Sequence, residues 1–290
     1  MTTSARTVTL IGADGTHRVL ACSTDPYQLG LEAGLWGTAP YAYSTRAVAE
    51  IPGERIDNVQ ALARMFPLPV EVSATTELGV DQQLAALGEL LDPTQDVRIR
   101  FRRPDGIERE ISARCTAGRS AISALLRNGA DTRNVRVPLV FTAHFPYWRE
   151  TTAAPLTSGP TTFNDGRGAG INTVTLTNPG VECWPDFTIT GYVENVECMN
   201  LSTGQVWRIL EILKVGDTLT INTDPRQLGI YLNGALAWNV GGSEVLDPLT
   251  SELWPLVHGP NEIQFRGNTA TGAEPIGSML IRWHPIYETP

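Results

Sequence analysis

Asn178-Pro179-Gly180-Val181-Glu182-Cys183-Trp184-Pro185-Asp186-Phe187-Thr188-Ile189-Thr190-Gly191 opens the stretch whose reading decides the fold, and that stretch continues to Thr223. Asn178-Pro179-Gly180 predicts a turn, because proline presets φ and glycine takes a positive φ at no steric cost. In the strand that follows, Phe187 and Ile189 point one way and Asp186, Thr188 and Thr190 the other, the alternation of a half-buried strand. Asn200-Leu201-Ser202-Thr203-Gly204 predicts a second turn and 206–210 a second strand. Gly216-Asp217 leads into a third, in which Leu219 and Ile221 face inward and Thr218, Thr220 and Asn222 outward. Short strands separated by such turns predict an antiparallel β-sandwich.

Downstream, 230–232 and 236–238 flank Asn233-Gly234, a hairpin signal. Residues 262–266 alternate cleanly, and Met279, Ile281 and Trp283 alternate with Leu280 and Arg282. Upstream, 7–11 and 18–21 read as a hairpin turned at Asp14-Gly15, and 67–75 as a strand with Val70 and Val72 on one face. Asp81 is expected to cap a helix with an apolar stripe of Leu84, Leu87, Leu90 and Leu91, ended by Pro93. Residues 97–103 and 107–115 read as strands joined by a turn at Pro104-Asp105-Gly106, and 135–145 as a buried strand. Residues 120–127 suit a short helix or a long loop. Residues 25–50 lack clear periodicity and carry Tyr27, Trp36, Tyr41 and Tyr43. They suit a covering loop with aromatic anchors or an arm laid on a neighbouring subunit.

The segment 151–160, rich in Thr, Ala, Pro and Ser, marks a boundary. The expected domains are therefore 1–150, a small α+β unit, and 161–290, the sandwich. Their charges differ. Residues 1–149 hold 16 Arg and 16 acids, whereas 150–290 hold 5 Arg, 1 Lys and 15 acids, a net of −9. An acidic half repels phosphates and argues against direct nucleic-acid binding there. No apolar run approaches a membrane span and the first residues lack a signal-peptide core, so a protein made in a cytoplasm is expected.

The motifs of catalysis are missing. The histidines His17, His144, His258 and His284 have no metal-ligand spacing, and His144 suits a structural role in its apolar run. Cys22, Cys115, Cys183 and Cys198 form no Cys-x-x-Cys pair and read as reduced thiols. Gly166-Arg167-Gly168-Ala169-Gly170 has no helix signal after it and reads as a loop. Asp186, Glu194, Glu197, Asp217 and Asp224 could supply a glycosidase carboxylate pair only if the fold set two of them at ~5 or ~9 Å. Solvated acids are the expectation, and neither cofactor nor metal is expected.

Two groups of side chains stand out. Arg98, Arg100 and Arg102 share one face of a strand. They suit a solvated face paired with acids, or a guanidinium row at a subunit contact or channel. Of 7 Trp, five lie at 184, 207, 238, 254 and 283. Core packing is the ordinary role for strand tryptophans, while Trp207, Trp238 and Trp254 are candidates for a sugar-stacking platform.

The order of these pieces closely resembles the distal tail protein (Dit) family of long-tailed bacteriophages. The resemblance rests on Asn178-Pro179-Gly180, the Pro185-Asp186-Phe187 strand, the Asn200 to Gly204 turn, Gly216-Asp217-Thr218-Leu219-Thr220-Ile221-Asn222-Thr223 and Gly259-Pro260-Asn261-Glu262-Ile263. Phe145-Pro146-Tyr147-Trp148 closes the N-terminal half as in that family. It implies a mainly β protein: an N-terminal split β-barrel with one helix, then a C-terminal galectin-like antiparallel β-sandwich. It further implies a structural virion protein of the tail tip, assembled in the bacterial host's cytoplasm as a ring of six copies. Such a ring joins the tail tube protein to the tip hub, or tail-associated, protein, contacts the tape measure protein, passes DNA in transit, and can seat receptor-binding proteins. Trp36, Tyr41, Arg98, Arg100 and Arg102 would then lie at the oligomer interface or channel. A lectin-like protein contacting the host surface through the sandwich is the alternative, and a glycoside hydrolase a weaker third.

Overall fold

The computed structural model describes residues 7–20, 26–29, 35, 38–47, 54–128, 133–151, 155–163, 171–237, 239–240, 243–247, 251–268 and 277–290. Trp36, Trp238, Cys22 and the 166–170 glycine loop lie outside them. The chain divides into two compact units, Met1–Thr152 with Tyr287–Pro290, and Ala153–Ile286. The last four residues therefore belong with the first unit, whereas the sequence reading carried the second domain to 290.

In the first unit the strands are β1 (Thr7–Ile11), β2 (His17–Leu20), β3 (Tyr27–Leu29), β4 (Tyr41–Ala47), β5 (Glu54–Ala61) and β6 (Arg64–Ser73). Helix α1 (Glu77–Leu90), β7 (Val97–Arg102), β8 (Glu108–Ala117), helix α2 (Arg119–Asn128), β9 (Asn134–Ala143) and β10 (Trp148–Glu150) follow. The main sheet runs β2-β1-β7-β8-β9-β6-β3, with β10 paired to β8. Its end strands β2 and β3 lie against each other, so the sheet is nearly closed. Strands β6 and β9 pair over ten residues, from Arg64 opposite Ala143 to Ser73 opposite Asn134. Leu68, Val70 and Val72 meet Val137, Leu139 and Phe141 in the core, all fully buried.

Helix α1 begins a turn earlier than expected. Thr76, not Asp81, is the cap: its backbone is extended (φ −133°, ψ 155°) and its hydroxyl accepts from Gly79 N at 3.1 Å. The leucine stripe is as read, with Leu84, Leu87 and Leu90 buried beside Val80, and Leu91 buried just beyond the last turn. The 120–127 segment, open between helix and loop, lies in α2, whose Ile122 is buried in the same core. Strand β9 alternates rather than being buried on both faces, and His144 is exposed just past its end.

A feature with no periodicity signal is the ribbon of β4 and β5, which pair with each other and with no other strand among the described residues. A one-residue shift of register, with Asp57 of β5 left over between Ser44–Asn58 and Thr45–Ile56, interrupts the pairing and blurs its alternation. Tyr43 is 60% exposed on it, as are Val59 (50%) and, beside it, Leu62 (43%) and Met65 (69%).

The second unit holds β11 (Leu156–Thr157), β12 (Thr161–Thr162), β13 (Ile171–Asn178), β14 (Asp186–Thr190), β15 (Glu194–Asn200) and β16 (Gln205–Arg208). After them come β17 (Thr218–Asn222), β18 (Gly229–Leu232), β19 (Ala235–Leu236), β20 (Asn239–Val240), β21 (Ser243–Glu244), β22 (Gly259–Asn268) and β23 (Ser278–Trp283). Strand β24 (Ile286–Tyr287) carries the chain back to pair with β10. One sheet runs β11-β23-β14-β17-β18-β19, with β12 on β23, and another runs β13-β22-β15-β16. They meet where the Phe187 ring of the first packs edge-on against Trp207 of the second, centroids 5.0 Å apart. Trp254 packs on the same phenylalanine at 5.3 Å. The Asn233-Gly234 hairpin is a two-residue loop with both residues at positive φ (51° and 82°), the type I′ geometry that matches strand twist.

The turn asparagines are interior groups. Asn178, Asn200 and Asn261 are each 0% exposed. Asn178 Nδ2 donates to Val181 O and Leu256 O while its Oδ1 accepts from Gly180 N. Asn261 Nδ2 donates to Val257 O and Gly259 O (2.9 and 3.0 Å), and its Oδ1 accepts from Val257 N. The Asn178 and Asn261 amides thus each satisfy three loop backbone groups that burial takes from water, and Asn200 Oδ1 accepts from Ser202 N. Replacing Asn261 with Ala should leave three backbone groups unpaired, at ~1–3 kcal/mol each. We expect a loss of several kcal/mol in urea unfolding, against under ~0.5 for an exposed polar site such as Thr173.

Candidate functional site

The arginine row lies where the sequence put it. Arg98, Arg100 and Arg102 of β7 face Ser112, Glu110 and Glu108 of β8. Arg100 Nη2 is 3.0 Å from Glu110, Arg98 is 3.5 Å from Glu110, and Glu108 lies 3.7 and 3.9 Å from Arg100 and Arg102. Three guanidinium groups share two carboxylates, leaving one net positive charge on a solvent-facing strand pair.

Tyr41 starts β4, and its hydroxyl donates to the Glu288 carboxylate. It belongs to a cluster that the sequence did not signal, in which the first unit grips Tyr287–Pro290. The Arg109 guanidinium, on a side chain that faces the interior with Ile111, sits 3.6 Å from the Tyr287 ring centroid and donates to Thr289 O at 2.8 Å. Arg64, 2% exposed, donates to Glu288 O at 3.0 Å and to Leu35 O. The Tyr287 hydroxyl donates to Glu150 at 3.2 Å. Burial pulls both guanidinium pKa values down, opposed by Glu288 for Arg64 and by Tyr287 and Glu150 for Arg109. Burial and the Glu288 bond both raise the Tyr41 hydroxyl, which stays protonated.

The sugar-platform expectation for Trp207 and Trp254 is corrected. Both are 0% exposed, and no sugar ring in solvent can stack on them. Trp207 points inward from β16, and Trp254, from the segment before β22, packs on Phe187 in the same core. Instead, the outer face of that sheet carries a row of side chains along one rung. Ile171 of β13 lies opposite Arg266 of β22, which lies opposite Glu197 of β15, which lies opposite Arg208 of β16. Glu197 is buried and clamped, one oxygen by Arg266 Nη2 at 2.7 Å and the other by Arg208 Nε. Burial pushes its carboxyl up, but the hydrogen bonds and charges of Arg208 and Arg266 outweigh this and hold it below the usual carboxylate range. The row floors a depression of about 450 Å³ whose rim includes Asn195, Ile209, Leu210 and Asn268.

The other acids have local partners. Asp217 Oδ1 accepts from Asn233, Glu194 accepts from the Tyr192 hydroxyl, and Asp224 pairs with Arg226. Burial raises the Asp186 carboxyl, offset in part by His284. No group of three His, Cys, Asp or Glu side chains among the described residues is placed to hold a metal. No described helix is long and apolar enough to cross a membrane.

No family model matches the chain, and no curated protein matches it. Among solved structures, the crystal structure of the Dit protein of phage SPP1 aligns over 97% of this chain and 99% of its own, with a TM-score of 0.60 and 16% identity. The chain has the fold of SPP1 Dit. That protein is described as a paradigm of the hub adsorption apparatus in phages that infect Gram-positive bacteria. A chain of the phage p2 baseplate, in its activated conformation with strontium, aligns over 99% of this chain at 10% identity and a TM-score of 0.49. The match to SPP1 Dit reaches that fold independently of the motif resemblance, over nearly the full length.

Two outcomes follow from this geometry. In a double-mutant cycle of Arg109→Met and Tyr287→Leu, unfolding should report a coupling of ~1–2 kcal/mol, the size of a desolvated cation–π pair; additive effects would show the stacking to be incidental. Burial raises the Cys115 thiol, raises Cys183 to about 12, with Glu182 adding to it, and takes Cys198 well above its ordinary value. These three should resist a thiol reagent at pH 8 in the folded protein and react fully in denaturant.

Proposed function

We propose that this chain is a structural protein of a phage tail tip. Identical copies form a closed ring, six in number, that joins the tail tube to the tip hub and surrounds the path of the DNA. What carries the reading is the Dit fold over 97% of the chain. The tail tube, tip hub and tape measure proteins are the neighbours this places beside it, and receptor-binding proteins are further partners. It acts by assembly and has no catalytic role, in the virion and after assembly in the host cytoplasm.

The first unit supports the ring. An isolated two-stranded ribbon is marginally stable in water, and β4–β5 displays Tyr43 and Val59 to solvent. A neighbouring copy covers them, so that the 41–47 part of the 25–50 segment, open between a covering loop and an arm, serves as an arm. Tyr41 roots it to the chain's own Glu288, so its role is to hold the arm rather than to face the channel. The Arg98, Arg100 and Arg102 row, with one uncompensated positive charge, meets acids of the next copy or faces the channel. Balanced charge over 1–149 lets copies approach, while the −9 of 150–290 favours a larger radius.

The mass in solution, by light scattering, should be six times the 31.5 kDa of the chain. Tyr43→Glu together with Met65→Glu should give a monomer whose circular dichroism matches the wild type. A monomeric wild-type protein at micromolar concentration would overturn the ring.

A further inference from the structure

The depression on the outer face of the β13-β22-β15-β16 sheet is unused by the assembly reading. Its floor is the Ile171–Arg266–Glu197–Arg208 rung. Three observations mark it as built. First, the buried carboxylate holds two guanidinium groups in place, while the arginine side chains stay 52% (Arg266) and 42% (Arg208) exposed. Each arginine has five N–H donors and spends only part of them on Glu197. Secondly, β15 is irregular beside the rung. Its register against β22 shifts between Glu194 and Glu197, and Asn195 takes a left-handed φ of 48°. Bulges of this kind re-aim side chains and concentrate at functional sites. The Asn195 amide Nδ2 donates to Asn268 Oδ1 at 2.8 Å, which fixes two amides at one end of the depression. Thirdly, Ile171 at one end of the floor and the 55%-exposed Leu210 on the rim give the depression apolar surface.

The charges decide the class of ligand. Two arginines and one glutamate leave a net +1 in a half of the chain whose sum is −9. A bare anion would meet the Glu197 carboxylate as well as the guanidinium groups. A polyol would not suffer from it, because a hydroxyl donates to a carboxylate and accepts from a guanidinium. Neighbouring strands set these groups at ~4.8 Å intervals, within the span of one sugar ring's hydroxyls. The apolar surface of Ile171 and Leu210 suits the C–H face of such a ring, and the volume falls within the range of small-molecule sites.

We propose that this depression binds a saccharide unit bearing one acid group. The acid pairs with the arginines, the hydroxyls bridge Glu197 and the guanidinium groups, and the Asn195–Asn268 amides meet the far side of the ring. The acid is a carboxylate or a phosphate ester, the chemistry of acidic cell-envelope polysaccharides. The site lies within one unit and is independent of whether the chain forms a ring.

Full-length protein is titrated with methyl β-glucuronide, glucose 6-phosphate, methyl β-glucoside, inorganic phosphate and an acetylated Glu-rich peptide, followed by saturation-transfer NMR and calorimetry. At least one acidic sugar should saturate at low millimolar concentration, at least tenfold more tightly than the neutral glucoside or inorganic phosphate. Which of the two does so identifies carboxylate or phosphate. Arg266→Gln should weaken it at least tenfold. Leu210→Glu, which leaves the Arg–Glu–Arg row intact and brings a negative charge to the rim, should do the same, with thermal melting confirming the fold of both. Saturation by inorganic phosphate as tightly as by the sugars, tighter binding of the peptide, no saturation by either acidic sugar below ~20 mM, or full affinity in folded Leu210→Glu protein would each overturn the proposal.

Discussion

Backbone polar groups taken from water must find partners, and in the second unit that constraint falls on a few asparagines. A tight β-loop leaves carbonyls and N–H groups that cannot join a ladder. Asn178, Asn200 and Asn261 reach into those loops and complete them from inside the protein. Asn200 Nδ2 also approaches Asn261 Oδ1 at 3.5 Å, so loops at the end of one sheet are tied by a shared polar core. The strands leaving those loops then have a set register. Phe187, Trp207 and Trp254 meet as they do because the loops deliver them in phase. This explains why short polar motifs, rather than the apolar strands, carry the likeness to a family.

The first unit meets the same constraint with arginine. Arg64 and Arg109 are buried cations, costly unless they are bonded. Carbonyls of the last four residues and an aromatic face supply that bonding. Burial lowers both guanidinium pKa values, but an arginine has so high a starting value that it stays charged. The two cations that grip Tyr287–Pro290 through backbone carbonyls therefore keep their charge.

Assembly and ligand binding, as proposed, draw on different physics. The ribbon of β4 and β5 offers apolar area, which drives association without direction. The Arg98 to Arg102 row adds charge, which orients approach more than it strengthens it. The Glu197 rung is a small, preorganised polar surface, where the carboxylate costs some anion affinity but holds both guanidinium groups in position.

Local pattern alone determined much of this protein: the alternation of β14, β17 and β22, the Asn233-Gly234 hairpin, the leucine stripe of α1 and the facing of Arg98, Arg100 and Arg102. These depend on the two-residue and 3.6-residue periods of the backbone, which need no knowledge of distant neighbours. The sequence pattern points to Asp81 as the cap of α1, and only the extended backbone at Thr76 shows that the helix starts there. The ribbon was illegible because a register slip interrupts its alternation. What only the tertiary structure decided are the contacts between residues far apart in the chain. Arg109 against Tyr287, Trp207 and Trp254 turned inward, and Glu197 between Arg208 and Arg266 all rest on strand order and register. A strand's period says which residues share a face, but which strand lies beside it, and at what offset, is settled by packing and by the loops that the buried asparagines hold.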